Sequence, residues 1–185
     1  MKKNETLIAV PKVFIEQEAF QKIKCFVDLC QYEINGLGTV ERKGNNFIIK
    51  DVFTIKQFTD DSGIHVETDP KALNLFIYEL VKSGGDASKV RFQWHSHVNM
   101  PALFSWEDVD TIGNYMNDYM ISLVMNKKGQ YKCRLDLFKP FNLSLEVSLF
   151  VKIPLLVPSL IQQCQEEINR NVSVVSSGIF GFFKR

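Results

Sequence analysis

The sequence has no surplus of charge. Its 22 Lys and Arg stand against 21 Asp and Glu, a formal net charge of +1 over 185 residues. That is too little for a protein whose main activity is to track a phosphate backbone or an anionic membrane surface, so no nucleic-acid partner is expected. Long apolar runs are missing too. The longest candidate, Ile153 to Ile161, is interrupted by Pro154 and Pro158, short of the ~20 residues a spanning helix needs, and no membrane span is expected. The four cysteines Cys25, Cys30, Cys133 and Cys164 make no CxxC pair, and Met1 to Glu5 leads only into the short apolar run Leu7 to Val10. A disulfide framework and a signal peptide are both disfavoured. The expectation is a cytoplasmic protein with reduced thiols, Cys25, Cys30 and Cys164 serving as small buried hydrophobes on helix faces. With 45% hydrophobic and 23% charged residues, one compact, core-bearing unit remains.

The apolar pattern predicts a strand around Leu7 to Phe14, then a helix over Glu16 to Gln31 in which Ala19, Phe20, Ile23, Phe26, Val27 and Cys30 recur every three to four residues. Ile34 to Val40 and Phe47 to Phe53 read as a hairpin about the polar turn Glu41 to Asn46, with Glu33 at its entrance. Thr54 to Thr68 holds Asp60-Asp61-Ser62-Gly63 without sustained periodicity, so a loop with a short strand near Ile64 to Val66 is expected. Asp69-Pro70 supplies the cap and first-turn proline of a second helix, with Leu73, Phe76, Ile77, Leu80 and Val81 as its buried stripe and Gly84-Gly85 as its stop.

Val90 to Trp94 is a strand running into His95-Ser96-His97, and a loop containing Pro101 follows. Ser105 with Glu107 and Asp108 starts a third helix, Val109, Ile112 and Met116 facing inward. Tyr119 to Met125, Lys132 to Phe138 and Leu143 to Phe150 read as a meander, and Pro158 to Asn171 as a last helix with Leu160, Ile161, Cys164 and Ile168 inward. The expected organisation is a domain over 1–153, a helix over 154–171 packed on it or extending it, and a flexible tail over 172–185. The tail ends Phe180-Gly181-Phe182-Phe183-Lys184-Arg185; it either frays or docks its phenylalanines on a partner.

Only three histidines occur, two of them at positions 95 and 97. Residues two apart in an extended chain project to one side, so both imidazoles can reach a single ion. Asp108 can complete three protein ligands if the intervening loop folds back, at a helix N-terminus that favours a carboxylate. Two imidazoles and one carboxylate leave a fourth tetrahedral position for water, the donor set of a catalytic rather than a closed structural zinc site. A general base is then required. Glu33 is the candidate, with Gly36 and Gly38 nearby in a strand whose missing side chains let a substrate backbone come close.

His95-Ser96-His97, seven residues, Ser105, two residues and Asp108, with Glu33-Ile34-Asn35-Gly36-Leu37-Gly38 upstream, resembles the JAMM motif of MPN-domain zinc metalloproteases. The HxH, Ser and Asp spacing alone arises by chance in a chain this long on the order of once in several thousand. The resemblance covers roughly Leu7 to Phe150 and is nearest to compact prokaryotic members. It implies an α/β fold with a curved mixed sheet flanked by helices. It also implies one Zn2+ held by His95, His97 and Asp108, Glu33 as general acid and base, and Ser105 as donor to a tetrahedral oxyanion. The implied activity is hydrolysis of the amide bond after the C-terminal tail of a ubiquitin-like protein, beside activating and conjugating enzymes. A sulfur-carrier or phage protein precursor is a second possible substrate, and a non-catalytic MPN scaffold the reading from another class. One departure is Val98, where the family usually has proline directly after the second histidine.

Rival HxH families fail on named grounds: amidohydrolase barrels need a longer chain, metallo-β-lactamases an HxHxDH run, and cupins a glutamate within a few residues of the second histidine, whereas the first acid downstream is Glu107. Blander readings stand beside each residue. Glu33 can be a solvated acid at a helix-to-strand junction, Ser105 a simple N-cap, and His65 a surface residue. Asp110 is offset across the helix from the histidines. Trp94 and Trp106 read first as core packing, with Trp106 alternatively lining a substrate channel.

Overall fold

The computed structural model describes residues 10–114, 117–151 and 158–174. Leu7 to Ala9, Met116 and the terminal Phe180 to Arg185 lie outside them. Strand β1 (Lys12–Ile15) buries Val13 and Ile15 and leads into α1 (Gln17–Leu29). The helix buries Ala19, Ile23, Cys25, Phe26 and Val27 and ends sooner than its apolar pattern, because Cys30 is already extended. β2 (Asn35–Lys43) and β3 (Asn46–Phe53) form the expected hairpin. Its turn is shorter than the polar run suggested. Pairing continues to Lys43 opposite Asn46, and Gly44 takes the left-handed conformation (φ 60°) that a chain reversal this tight asks of a residue.

The segment expected as a loop is more ordered. β4 (Gln57–Thr59) and β5 (Val66–Thr68) pair antiparallel, and β11 (Val172–Val174), expected as the start of the tail, adds to β4 in parallel. Neither pairing leaves a trace in hydrophobic periodicity, since the strands have three residues each.

α2 (Pro70–Lys82) begins where expected, the Asp69 carboxylate accepting from the Lys71 and Ala72 amides. Its stripe is not a buried one, however. No residue of α2 is fully buried, and Leu75, Tyr78 and Val81 are 60, 59 and 54% exposed. Phe76 rests on Phe53 of β3, ring centroids 4.4 Å apart, while Leu73 and Ile77 face an open cleft. The helix therefore has packing partners along only part of its surface.

β6 (Val90–Ser96), α3 (Trp106–Gly113), β7 (Tyr119–Met125) and β8 (Tyr131–Leu137) follow the sequence expectation closely. Leu143 to Phe150 does not make one strand. It divides into β9 (Leu143–Val147), antiparallel to β8, and β10 (Leu149–Val151), parallel to β1. The large sheet has the order β10-β1-β3-β2-β6-β7-β8-β9. Its outermost strands are thus chain neighbours separated only by Ser148, which requires the eight-stranded mixed sheet to curve until it nearly closes.

α4 (Pro158–Asn171) packs on α1 through Leu160, Cys164 and Ile168, while Ile161 is turned outward at 44% exposure. The core lies between these two helices and one face of the sheet, with Trp94 stacked on Phe26 at 5.5 Å. All four cysteines are buried and unpaired, and burial pushes Cys133 and Cys164 up to about 12. Among the described residues no helix is long and apolar enough to cross a membrane.

Candidate metal centre

Strand alternation builds the centre. On β6 the side chains of Val90, Phe92, Trp94 and Ser96 enter the core, and those of Arg91, Gln93 and His95 point to the other face. His97 continues that second set one step beyond the strand. The His95 and His97 Nε2 atoms are 3.1 Å apart, Asp108 Oδ1 is 3.3 Å from His95 Nε2, and Asp108 Oδ2 is 3.8 Å from His97 Nε2. The three residues form the single potential metal-ligand group among the described residues. Bond lengths of 2.0–2.2 Å to a tetrahedral Zn2+ give ligand-to-ligand edges of about 3.4 Å, near the His95–His97 and His95–Asp108 Oδ1 separations, and two imidazoles with a carboxylate are a donor set that such an ion takes.

The groups around these ligands decide which atoms are available. His97 Nδ1 lies 2.9 Å from the Pro101 carbonyl, which can only accept. The proton therefore sits on Nδ1 and the Nε2 lone pair faces the centre. Asp108 divides its two oxygens. Oδ2 accepts from the Ser105 amide at 2.6 Å and the Ser105 hydroxyl at 2.8 Å, closing a capping box at the start of α3, while Oδ1 points toward His95. Burial alone would raise the Asp108 carboxyl, but the attraction of the adjacent His95 and His97 imidazoles for its anion outweighs it and holds the group far below the usual carboxylate range. The Asp108 carboxylate favours the protonated ring and so raises His97 against its burial, with Pro101 and Glu33 adding to the effect.

Glu33 is no solvated junction acid. It is 6% exposed, and burial pushes its carboxyl from 4.5 up to about 7, with His97 opposing and Asp108 and Asp60 adding. Its backbone amide donates to Gly63. The next residue is clamped to β6, since the Ile34 amide donates to the buried Ser96 hydroxyl at 3.0 Å and the Ser96 amide to the Ile34 carbonyl at 2.8 Å. The serine between the two histidines thus holds the general-base candidate's strand from the opposite face. Gln57 of β4 grips the following residue, accepting from the Asn35 amide and donating to its carbonyl. Sequence reading missed both. Ser96 was inferable from strand parity; Gln57 was not, because β4 carries no pattern.

The remaining site residues divide. Ser105 lies beside Asp108 as expected, but its hydroxyl proton is committed to Asp108 Oδ2 while its oxygen accepts from the Asp108 amide. Trp106 is 90% exposed, so the core-packing expectation fails for it and holds for Trp94. As the first residue of α3, Trp106 has its backbone fixed by the capping box, and its ring is left to the rim of the cleft.

Gly36 and Gly38 need a corrected explanation. A Cβ on Gly36 would come within 2.7 Å of the Trp94 ring and closer still to the Phe53 carbonyl, and one on Gly38 would fall 2.8 Å from Phe92. Their missing side chains make room for the core aromatics Trp94 and Phe92. Backbone at Asn35, Gly36 and Leu37 does line the cleft, a space of about 2170 Å3 floored by β2 and β6 and walled by α2 and α3. His65 and Asp110 border it.

No protein-family model matches the chain, and no curated protein does. Among solved structures, the solution structure of protein DSY2949 from Desulfitobacterium hafniense is similar, with a TM-score of 0.56 and 19% identity over 77% of this chain and 94% of that one. At that identity the likeness concerns the fold alone.

Proposed function

We propose that this chain is a JAMM-type zinc (iso)peptidase with MPN-like layering, acting in the cytoplasm on the C-terminal tail of a ubiquitin-like protein. The observation that carries the proposal is the meeting of His95, His97 and Asp108 near a buried Glu33 whose carboxyl is raised to about 7. The three ligands would hold Zn2+, which when bound polarises a carbonyl and supplies an ionisable water near neutral pH. Glu33 takes a proton from the attacking water and hands it to the leaving amine nitrogen, and a carboxyl near 7 can perform both transfers. Ser105, once its hydroxyl turns from Asp108, donates to the developing oxyanion. The cleft, which Trp106 also lines, runs past Arg91, Gln93 and His95 of β6, where an extended tail would lie.

Deconjugation and precursor maturation use the same chemistry, as would a sulfur-carrier or phage precursor. Activating and conjugating enzymes belong to the same reading as its upstream partners. The exposed Leu75, Tyr78 and Val81 of α2 favour a second reading, an MPN scaffold held in an assembly. Zinc stoichiometry and cleavage of ubiquitin-like fusions by the native chain and by Glu33→Gln separate the two. Purified protein without stoichiometric zinc, and cleavage indifferent to Glu33→Gln, would defeat the enzyme.

A further inference from the structure

Asn126 lies in the turn between β7 and β8. Its side chain is 1% exposed and uses its full hydrogen-bonding capacity. Oδ1 accepts from the Lys128 and Gln130 amides at 3.1 and 3.0 Å; Nδ2 donates to Gln130 Oε1 and to the Met100 carbonyl, each at 2.8 Å. Three of these bonds belong to its own turn. The fourth reaches 26 residues back, to the loop that leaves the histidine pair.

We infer that Asn126 is a positioning residue of the metal centre, holding the loop whose Pro101 carbonyl orients His97; this inference rests on the reading of that centre as a metal site. The mechanics follow from peptide geometry. The Met100 carbonyl lies in the planar peptide that ends on the Pro101 nitrogen, so anchoring that oxygen anchors the plane. The proline ring then fixes φ at 101, and a single torsion separates the anchored plane from the carbonyl that accepts from His97 Nδ1 at 2.9 Å. Two backbone bonds secure the rest of the loop: His97 donates to the Met125 carbonyl and Lys127 to the Val98 carbonyl. Val98 itself is the one non-glycine among the described residues with positive φ, 41°, a conformation proline cannot adopt. The departure from the family pattern and the Asn126 tether therefore belong to one device: the chain turns at 98, and the turn is pinned at 100.

Asn126→Ser tests this, since a serine oxygen can still serve the turn amides but cannot reach Met100. Gln130→Ala is the control, removing the other amide-donor bond and leaving Met100 alone. Two quantities are read: the His97 tautomer by 15N NMR in the metal-free chain, at a pH where the imidazole is neutral, and Zn2+ affinity by chelator competition. Asn126→Ser should lose the Nδ1–H preference and bind Zn2+ about tenfold more weakly, with Gln130→Ala within about twofold of the native chain. A folded Asn126→Ser that keeps both properties overturns the inference. Should that variant not fold, Pro101→Ala, which frees the same linkage at an exposed position, must show a weaker shift in the same direction, and an unchanged tautomer there is equally fatal. A native chain that binds no Zn2+ defeats the metal reading separately, because the tautomer is measured without the ion.

Discussion

Replacing Glu33 by glutamine should stabilise the metal-free protein, and the gain should depend on pH in a way that identifies its cause. The Glu33 carboxyl is 6% exposed and rises from 4.5 to about 7 on folding. Each tenfold change in proton affinity corresponds to ~1.4 kcal/mol, so ionised Glu33 opposes folding by roughly 3 kcal/mol. The sign follows from linkage. The folded state binds the proton more tightly than the unfolded state, so the cost is absent below about 4.5, grows between 4.5 and 7, and is complete above. Asp108 and Asp60 contribute to it, and His97 offsets part. Urea unfolding of metal-stripped native chain and Glu33→Gln at pH 4.5 and pH 8 isolates the effect. Any cost of burying an amide is the same at both values and cancels in the comparison. The variant should gain about 2–3 kcal/mol relative to native between the two conditions. Parallel pH profiles would refute the reasoning and return Glu33 to an ordinary solvated acid.

Other consequences are equally specific. Val98→Gly should raise stability by about 0.5–1 kcal/mol, because relief of a left-handed β-branched residue exceeds the entropy glycine adds, while Val98→Pro should lower it; thermal unfolding reads both. Ser105→Ala should cost ~1 kcal/mol of stability through the lost cap and about a hundredfold or more in turnover, and unchanged turnover would leave Ser105 as a cap only. Gly36→Ala should destabilise the fold by several kcal/mol, on the order of an overpacked core, because its Cβ meets the Phe53 backbone and the Trp94 ring; a stable variant with altered KM would restore the substrate role expected from sequence. His97→Ala should lose zinc where Glu33→Gln retains it, and equal loss in metal analysis would contradict the roles assigned.

What the sequence disclosed depended on whether a physical period or a cap was at work. α1, β6 and α3 were legible because amphipathic spacing, strand alternation and the Ser105 capping box are local signals. The shared side of His95 and His97 followed from strand alternation, whereas the approach of Asp108 depended on the intervening loop folding back and was expected from the motif's resemblance; the structure brings the three together. β4, β5 and β11 were not legible, since three-residue strands gain their pairing from segments up to 115 residues away. The break at Ser148 was hidden because alternation continues across it: Leu143, Leu145, Val147 and Leu149 keep their parity while the partner strand changes from β8 to β1. Trp106 and α2 misled for a shared reason. Apolar character was taken as burial, and both border a cleft that only the assembled helices create.

Three costly features gather at one centre. A buried carboxyl is held near neutral, a valine sits at positive φ, and two imidazole nitrogens approach to 3.1 Å while Asp108 keeps one oxygen aside from its capping box. Each alone is an ordinary local expense of roughly 1–3 kcal/mol. Together they have a common account under the proposed metal reading. A dication between the imidazoles and Oδ1 would attract the charge that burial denies Glu33, and it would use the tautomer that the Val98 turn and Asn126 enforce on His97. The stabilisation it returns is concentration-dependent, growing with the ratio of free metal to its dissociation constant. Zn2+ should therefore raise the unfolding midpoint of the native chain more than that of Asn126→Ser, and more at pH 7 than at pH 5, where protonated His97 competes for the site.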